Sequence, residues 1–380
     1  MSGGRRSWLA GGIGVALAAL FVVPAGAAPS QSRGGCSKTA TSGESVTALV
    51  ATLAPGETGC LSGTFHEDVT IRRGGAPGAP ITLTAAPGQE ATIVGRFWIA
   101  DSANDVVVSS LKLDGRNEER LPSPTINGDR VSFIGNDVTN AHTPAICFIV
   151  GHSGRWGVAV DTLIQGNRVH NCGELPAQNH DHGIYVESSR RLRVLDNLIY
   201  DNADRGIQFY PDAQDSLVQG NIIDGNGQGI LFSGNAGLAS NGNRVVGNVI
   251  SNSELRFNVE SWYPDGNPIG RDNVARANCV WNGKRGNVAD EWGFRAEENV
   301  VADPRFANRA AKDFRLDPSG ACARLVLAAA RAETAVRLNA GPSSAPAQAK
   351  PAGARPAKKK QRSRPRDRVR RVVERITAVD

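Results

Sequence analysis

The stretch R-V-L-D-N-L-I, Arg193–Ile199, is followed by L-V-Q-G-N-I-I, Leu217–Ile223. Apolar residues alternate with polar ones, an Asn closes the run, and a second apolar pair follows. Four further segments repeat the pattern: F-I-G-N-D-V at Asn136, L-I-Q-G-N-R-V at Asn167, R-V-V-G-N-V-I at Asn248 and V-A-R-A-N-C-V at Asn278. The Asn spacings are 31, 30, 24, 27 and 30 residues. An earlier copy without Asn, V-V-V-S-S-L-K-L, covers Val106–Leu113. A period in this range signals a solenoid. Alternation with period two, Val and Ile enrichment, and Gly/Asn punctuation make its elements strands. Helical spacing is absent, and Leu does not recur as leucine-rich repeats require. Three short strands per coil of about 24 residues describe a parallel β-helix, whose coils stack at about 4.8 Å. Asn suits the corners because it tolerates the left-handed conformation and its side chain bonds local backbone. Stacked coil on coil, these asparagines would form a ladder.

The ends of the 380-residue chain read differently from the middle. Arg5 and Arg6 precede an apolar run from Trp8 to Val23, and Ala25-Gly26-Ala27 supplies a small-residue cleavage site. Residues 1–28 are therefore read as a secretory signal peptide, and the order Arg5-Arg6-Ser7-Trp8-Leu9 resembles a twin-arginine export signal. Residues 29–340 are read as the β-helix domain. From Gly341 to Asp380 the chain is rich in Pro, Ala, Lys and Arg and carries +9. Removing that and the leader's +2 from the whole-chain +6 leaves the body at −5. The basic character belongs to a tail that cannot bury enough apolar surface to order itself. Such a tail suits an anionic cell-wall polymer, lipid or nucleic acid, with Arg368–Val379 as a short amphipathic helix; a solubilising tail without a partner is the alternative. The reading expects a secreted monomer with no membrane-spanning segment and no specific nucleic-acid target.

Export makes the six cysteines interpretable as disulfides. Sequential pairing gives Cys36–Cys60, Cys147–Cys172 and Cys279–Cys322, one of fifteen connectivities. No C-x-x-C spacing points to zinc. Open coil ends expose sheet edges and need covers. Ser45–Leu53 reads as a helix over the first coil and Ala321–Leu338 as one near the last.

The repeat resembles the right-handed parallel β-helix proteins, a superfamily that includes pectate lyases and the alginate lyase and chondroitinase B group. The resemblance covers Gly56–Leu316. It extends to the approach segments L-A-P-G-E-T-G-C-L-S-G-T-F (Leu53–Phe65) and P-G-A-P-I-T-L-T-A (Pro77–Ala85), and to the exits D-P-R-F (Asp303–Phe306) and D-F-R-L-D-P (Asp313–Pro318). It implies that the corner Asn lies between the second and third strands and that the first strand borders a substrate groove. Here that strand is the Gly-Ile segment: G-I-Y-V-E-S at Gly183, G-I-Q-F-Y-P at Gly206 and G-I-L-F-S-G at Gly229. The glycines recur twice at 23 residues. Ile184, Ile207 and Ile230 then point inward, with Val186, Phe209 and Phe232, and the intervening residues point out. Aligning R-F-N-V-E, Arg256–Glu260, as the next coil puts Phe257 and Val259 inside. The outward files become Tyr185–Gln208–Leu231–Asn258 and Glu187–Tyr210–Ser233–Glu260. His182, Arg205 and Gln228 stand just before the glycines, and Trp262 and Tyr263 lie beyond.

On that wall Q-N-H-D-H-G-I-Y-V-E-S, Gln178–Ser188, brings titratable groups together. Aromatic faces stack on sugar rings and an Arg fork binds carboxylates, so the partner is read as an anionic, uronic-acid-containing polysaccharide. β-Elimination or C5 epimerisation needs the carboxylate neutralised and the C5 proton removed. Arg205 serves the first, or a Ca²⁺ held by Asp181, Glu187 or Glu260. His182 or His180 serves as base and Tyr185 or Tyr210 as acid. Gln208, Asn258, Glu260, Trp262 and Tyr263 are read as substrate-binding. The related lyases use a Lys base, and no Lys stands between Lys112 and Lys284, so only Arg205 is carried over. The N-T-D and D-D motifs of polygalacturonases are missing, and Gly151-His152-Ser153-Gly154 reads as a loop. Two alternatives stay open: a His-Asp-His turn that only caps backbone groups, and a non-catalytic carbohydrate-binding surface protein.

Overall fold

The computed structural model describes residues 35–329 apart from Ser153 and Arg155. The segments read as a signal peptide and a basic tail, and the part of the expected Ala321–Leu338 helix beyond residue 329, lie outside the described residues. The body is an all-parallel, right-handed β-solenoid of about ten turns with three sheet faces. The face that matters here consists of β1 (Val69–Ile71), β2 (Phe97–Ile99), β3 (Thr125–Ile126), β4 (Phe148–Val150), β5 (Ile184–Arg190), β6 (Arg205–Gln214), β7 (Gln228–Asn235) and β8 (Val259–Trp262). Consecutive strands pair in parallel throughout.

The expected inward files are observed. Ile184, Ile207 and Ile230 stack with Val259, and Val186, Phe209 and Phe232 stack beside them. All are buried, and the Phe209, Phe232 and Phe294 rings stack at 5.4 and 5.3 Å. Burying each such side chain contributes about 1.5–3 kcal/mol, and the repeat makes that gain at every coil.

The asparagine ladder also forms and runs one rung further than the repeat suggested. Each Nδ2 donates to the next Oδ1 from Asn136 through Asn167, Asn197, Asn221, Asn248 and Asn278 to Asn299, at 2.9–3.0 Å. Each Oδ1 also accepts the backbone N–H of the Asn one coil earlier. The left-handed residue is not the Asn, as expected, but the one before it: Gly135, Gly166, Asp196, Gly220, Gly247, Ala277 and Glu298 have φ between 51° and 70°. Asn is required for its side chain, and its neighbour makes the turn. A second ladder links Asn202 to Asn226 and a third Asn243 to Asn273.

All three sequential disulfides are present. The first coil is covered by α1 (Val46–Ala51), capped by the Ser45 hydroxyl on the Ala48 N–H. The Glu67 carboxylate accepts the Val46 and Thr47 N–H groups at the same end. Residues 321–329 are helical, tied by Cys322 to Cys279 near the last coils. No helix among the described residues is long and apolar enough to cross a membrane.

Candidate functional site

The outward file on this face is continuous: Thr70, Trp98, Thr125, Ile149, Tyr185, Gln208, Leu231, Glu260. Its central part is as expected and its last member is not. The coil between Ile230 and Val259 is longer than the two before it, and Leu231 pairs with Glu260 rather than Asn258. Asn258 is buried and structural. It accepts from the Ser253 hydroxyl at 2.7 Å and donates to Asn287 Oδ1 and Trp281 O. Phe257 is half-buried rather than a core residue.

The second expected file is broken by a bulge. Val186 pairs with Phe209 but Ser188 with Asp212, so Tyr210 and Pro211 together face Glu187. The extra residue re-aims Tyr210. Its hydroxyl accepts from Asn235 Nδ2 at 2.9 Å and its ring lies 6.2 Å from that of Tyr185. Glu187 Oε1 lies 3.7 Å from His152 Nε2, which brings the loop after β4 to the site. Glu187 and Glu260 stand near opposite ends of this stretch, since Tyr185 and Glu260 are three strand spacings apart, about 14 Å.

Gly206 explains how Arg205 reaches the same side as Gln208. A Cβ there would lie 2.8 Å from Ile223 Cγ2 and 3.0 Å from Gly229 O, so Gly206 faces the core as Ile207 does. Two successive core-facing residues bend the chain and turn Arg205 outward, with Nη1 3.4 Å from Gln208 Oε1.

The site points outward, but it is not the exposed wall the sequence suggested. His182 is 3% exposed, Arg205 5% and Tyr185 7%. Two elements cover it. Ile146 and Ile149 pack on Tyr185, with Tyr210 against the cluster. The insertion after Cys172 folds across as a strap. Asp204 fixes it by accepting the Asn179 and Asp181 N–H groups, both at 2.8 Å. Asp181 in turn accepts the Glu174 N–H at 3.2 Å. Asp181 therefore shapes the strap.

Arg205 is the centre of the arrangement. Nε donates to Gln228 Oε1 at 2.9 Å, Nη2 to Asn179 Oδ1 at 2.6 Å and Nη1 to Asn179 O at 3.5 Å. Among the described residues no carboxylate lies within ion-pair distance of it. Its pKa is drawn down to about 10, by burial first and by Arg256 second, against the opposing pull of Asp204 and Glu260. Arg256 also donates to Asn179 Oδ1, at 3.3 Å, pinning the strap from the far side. Gln228 links Arg205 to Glu260, donating at 2.7 Å to Oε2.

The flanking groups have defined charge states. His182 is held well below the ordinary imidazole range by burial, then by Arg205 and His180. Its Nδ1 is buried without a hydrogen-bond partner. Its ring lies 5.7 Å from that of Tyr185. Tyr185 is pushed well above the usual phenol range by burial and by Glu187 and Tyr210. His182 is thus neutral and Tyr185 protonated at neutral pH. His180 sits half-buried on the strap.

At the far end Glu260 lines a cavity of about 320 Å³ with Phe257, Asp290 and Trp292. Trp262 is 39% exposed and able to meet a ligand. Tyr263 is not: it is 2% exposed, edge-on to Trp292 at 5.4 Å, and burial pushes it up to about 12. Among the described residues no group of three His, Cys, Asp or Glu is placed to hold a metal ion.

Gln228, Asn179, Arg256, His152 and Trp292 were not among the expected site residues. Gln228 stood in the file before the glycines, and Asn179 stood inside the quoted stretch. Arg256 and His152 stood in segments read as the next coil and as a loop, and Trp292 comes from a distant loop with no local signal.

Comparison with known proteins agrees on the fold. Residues 125–291 match the family described as a right handed beta helix region. Similar solved structures include the pectate lyase Pel9A, at 15% identity and TM-score 0.47, covering 73% of this chain and 84% of that one. An alginate lyase from Paenibacillus sp. str. FPU-7 is 12% identical, with TM-score 0.44 and 70% and 99% covered. The periplasmic alginate epimerase AlgG is 15% identical, with TM-score 0.38 and 66% and 61% covered. A search of curated proteins gave no match. The coils and their register make this chain a right-handed parallel β-helix in fold, and its middle part, residues 125–291, carries the family match.

Proposed function

We propose that this is an exported polysaccharide-active protein that abstracts the C5 proton of a uronic-acid residue, as a lyase or a C5-epimerase. One observation carries the reading. The buried Arg205 guanidinium is held by two oxygens of a single strap residue, Asn179 O and Oδ1, and by no carboxylate among the described residues. Those two oxygens occupy the positions that the two oxygens of a substrate carboxylate would take in a fork-to-fork pair. Binding is then an exchange, in which the strap residue leaves and the C6 carboxylate replaces it. Neutralised at C6, the residue becomes more acidic at C5. His182, neutral, takes the C5 proton. In elimination the electron pair forms the C4–C5 double bond, the C4–O bond breaks, and Tyr185 gives its proton to the leaving oxygen. In epimerisation Tyr185 returns a proton to the opposite face of C5. Solvent then restores both groups. The three disulfides support an oxidising, extracellular setting.

A non-catalytic glycan-binding role is the second reading, favoured by the burial of His182 and Tyr185. Incubation of the mature protein with alginate, pectate and glycosaminoglycans, with and without Ca²⁺, separates the two. Absorbance from an unsaturated product, or epimerisation seen by NMR, supports the proposal. Retained binding with neither signal supports the alternative.

A further inference from the structure

The same outward file carries a second cationic cluster, three strands before Tyr185. Trp98 on β2 lies beneath two guanidinium groups, those of Arg72 and Arg96, each 5.2 Å from the ring centroid. Its indole N–H donates to Asn127 Oδ1 at 2.8 Å, and Trp156 meets it edge-on at 5.4 Å, so the ring is fixed. A cation–π contact positions an arginine without neutralising it. Neither Arg72 nor Arg96 has a carboxylate within ion-pair distance among the described residues. Arg96 Nε is buried without a hydrogen-bond partner, and Arg72 is exposed. Asp68 accepts the Arg96 backbone N–H at 2.7 Å, and it and Glu119 act on the guanidinium itself through the field.

From this we infer that Arg72, Arg96 and Trp98 form a distal subsite that binds the carboxylate of another residue of the same acidic glycan chain. The chain would run along the stacked coils from β2 to β6. The inference rests on the proposed uronate substrate but not on the proposed chemistry. Trp98 and Tyr185 are three strand spacings apart, about 14 Å, so only an oligomer of several sugar rings can reach both.

The test is calorimetric binding of polygalacturonate and alginate chains, and of their disaccharides, to wild type, Arg72→Gln and Arg72→Gln/Arg96→Gln. Arg295→Gln, on another face, controls for overall charge. Retained melting temperature in Arg72→Gln establishes that an exposed substitution leaves the fold intact. The expected result is roughly five- to thirtyfold weaker polymer binding in the double variant. Disaccharide binding and the Arg295→Gln control should stay at wild-type values. Unchanged polymer affinity, an equal loss in Arg295→Gln, or no binding of either polymer by wild type would overturn the subsite. If the selective loss appears while no uronate polymer is converted, the subsite stands and the proposed chemistry falls. If polymer is converted and the double variant matches wild type, the chemistry stands and the subsite falls.

Discussion

Replacing Asn221 by Ala tests the internal ladder where it is fully enclosed. Asn221 Oδ1 accepts from Asn197 N and Nδ2, both at 2.9 Å, and its Nδ2 donates to Val194 O and Asn248 Oδ1 at 2.9 Å. Truncation leaves the buried Asn197 N–H without its acceptor, which costs about 1–3 kcal/mol. The lost amide bonds to Val194 and Asn248 add roughly 0.5–1.5 kcal/mol each. The expected total is about 2–6 kcal/mol. Asn299 ends the ladder, is half-buried, accepts from Asn278 N and Nδ2 and donates to Ala275 O at 2.7 Å. Water can replace those, so Asn299→Ala should cost about 1 kcal/mol. Urea unfolding gives both values. Because solenoid stability is nearly a sum over neighbouring coils, amide exchange should place the Asn221→Ala loss in the coils of Asn197 and Asn221. Equal costs for the two substitutions would refute the view that burial of the ladder, rather than its hydrogen-bond count, sets its value.

Three further outcomes follow from the site. Activity requires neutral His182 and protonated Tyr185, whose pKa values burial drives down and up respectively. Activity is lost as pH falls below the ordinary histidine range, or as it rises toward the Arg205 value of about 10, where the carboxylate-binding charge is lost, so kcat/KM should be flat from about pH 6.5 to 9; a limb inside that window would contradict the assignment. Asp204→Ala removes the two bonds that Asp204 makes to the strap backbone and leaves those from Arg205 and Arg256 to Asn179, and amide exchange at Asn179 and Asp181 should rise at least tenfold while β6 and β7 keep their protection; unchanged exchange would show that the arginine contacts alone hold the strap. Gly206→Ala places a methyl group against Ile223 and the Gly229 carbonyl, and should destabilise the fold by about 1–3 kcal/mol; a stable variant would sink the bend that turns Arg205 outward.

The sequence carried the fold where its physics is local and periodic. Alternation set the inward files through Phe232, and Asn and Gly marked the corners. Register slipped by two residues at β8 because the long coil before Val259 carries no Gly-Ile marker, so Glu260 stands where Asn258 was expected and Trp262 where Glu260 was. Tyr263 looked like a groove aromatic, but the chain turns at Pro264 and the ring is buried against Trp292. The residues of the centre, His182, Tyr185 and Arg205, were legible from the 23-residue spacing of the glycines. Their cover was not. It depends on Asp204 holding Asn179 and on Arg256 reaching the same residue from 77 positions away. Trp98 went unread because the early coils lack both Asn and Gly-Ile, although it shares the file with Tyr185.

Hydrogen–deuterium exchange at C5 of a uronate oligosaccharide, followed by NMR in D₂O, tests the central claim apart from what happens to the glycosidic bond. Wild type should wash deuterium into C5 of at least one uronate polymer. His182→Gln should lose that exchange, and Arg205→Gln should lose it while still folding. Deuterium absent from C5 with every uronate offered, or incorporated at the wild-type rate by His182→Gln, would contradict the account.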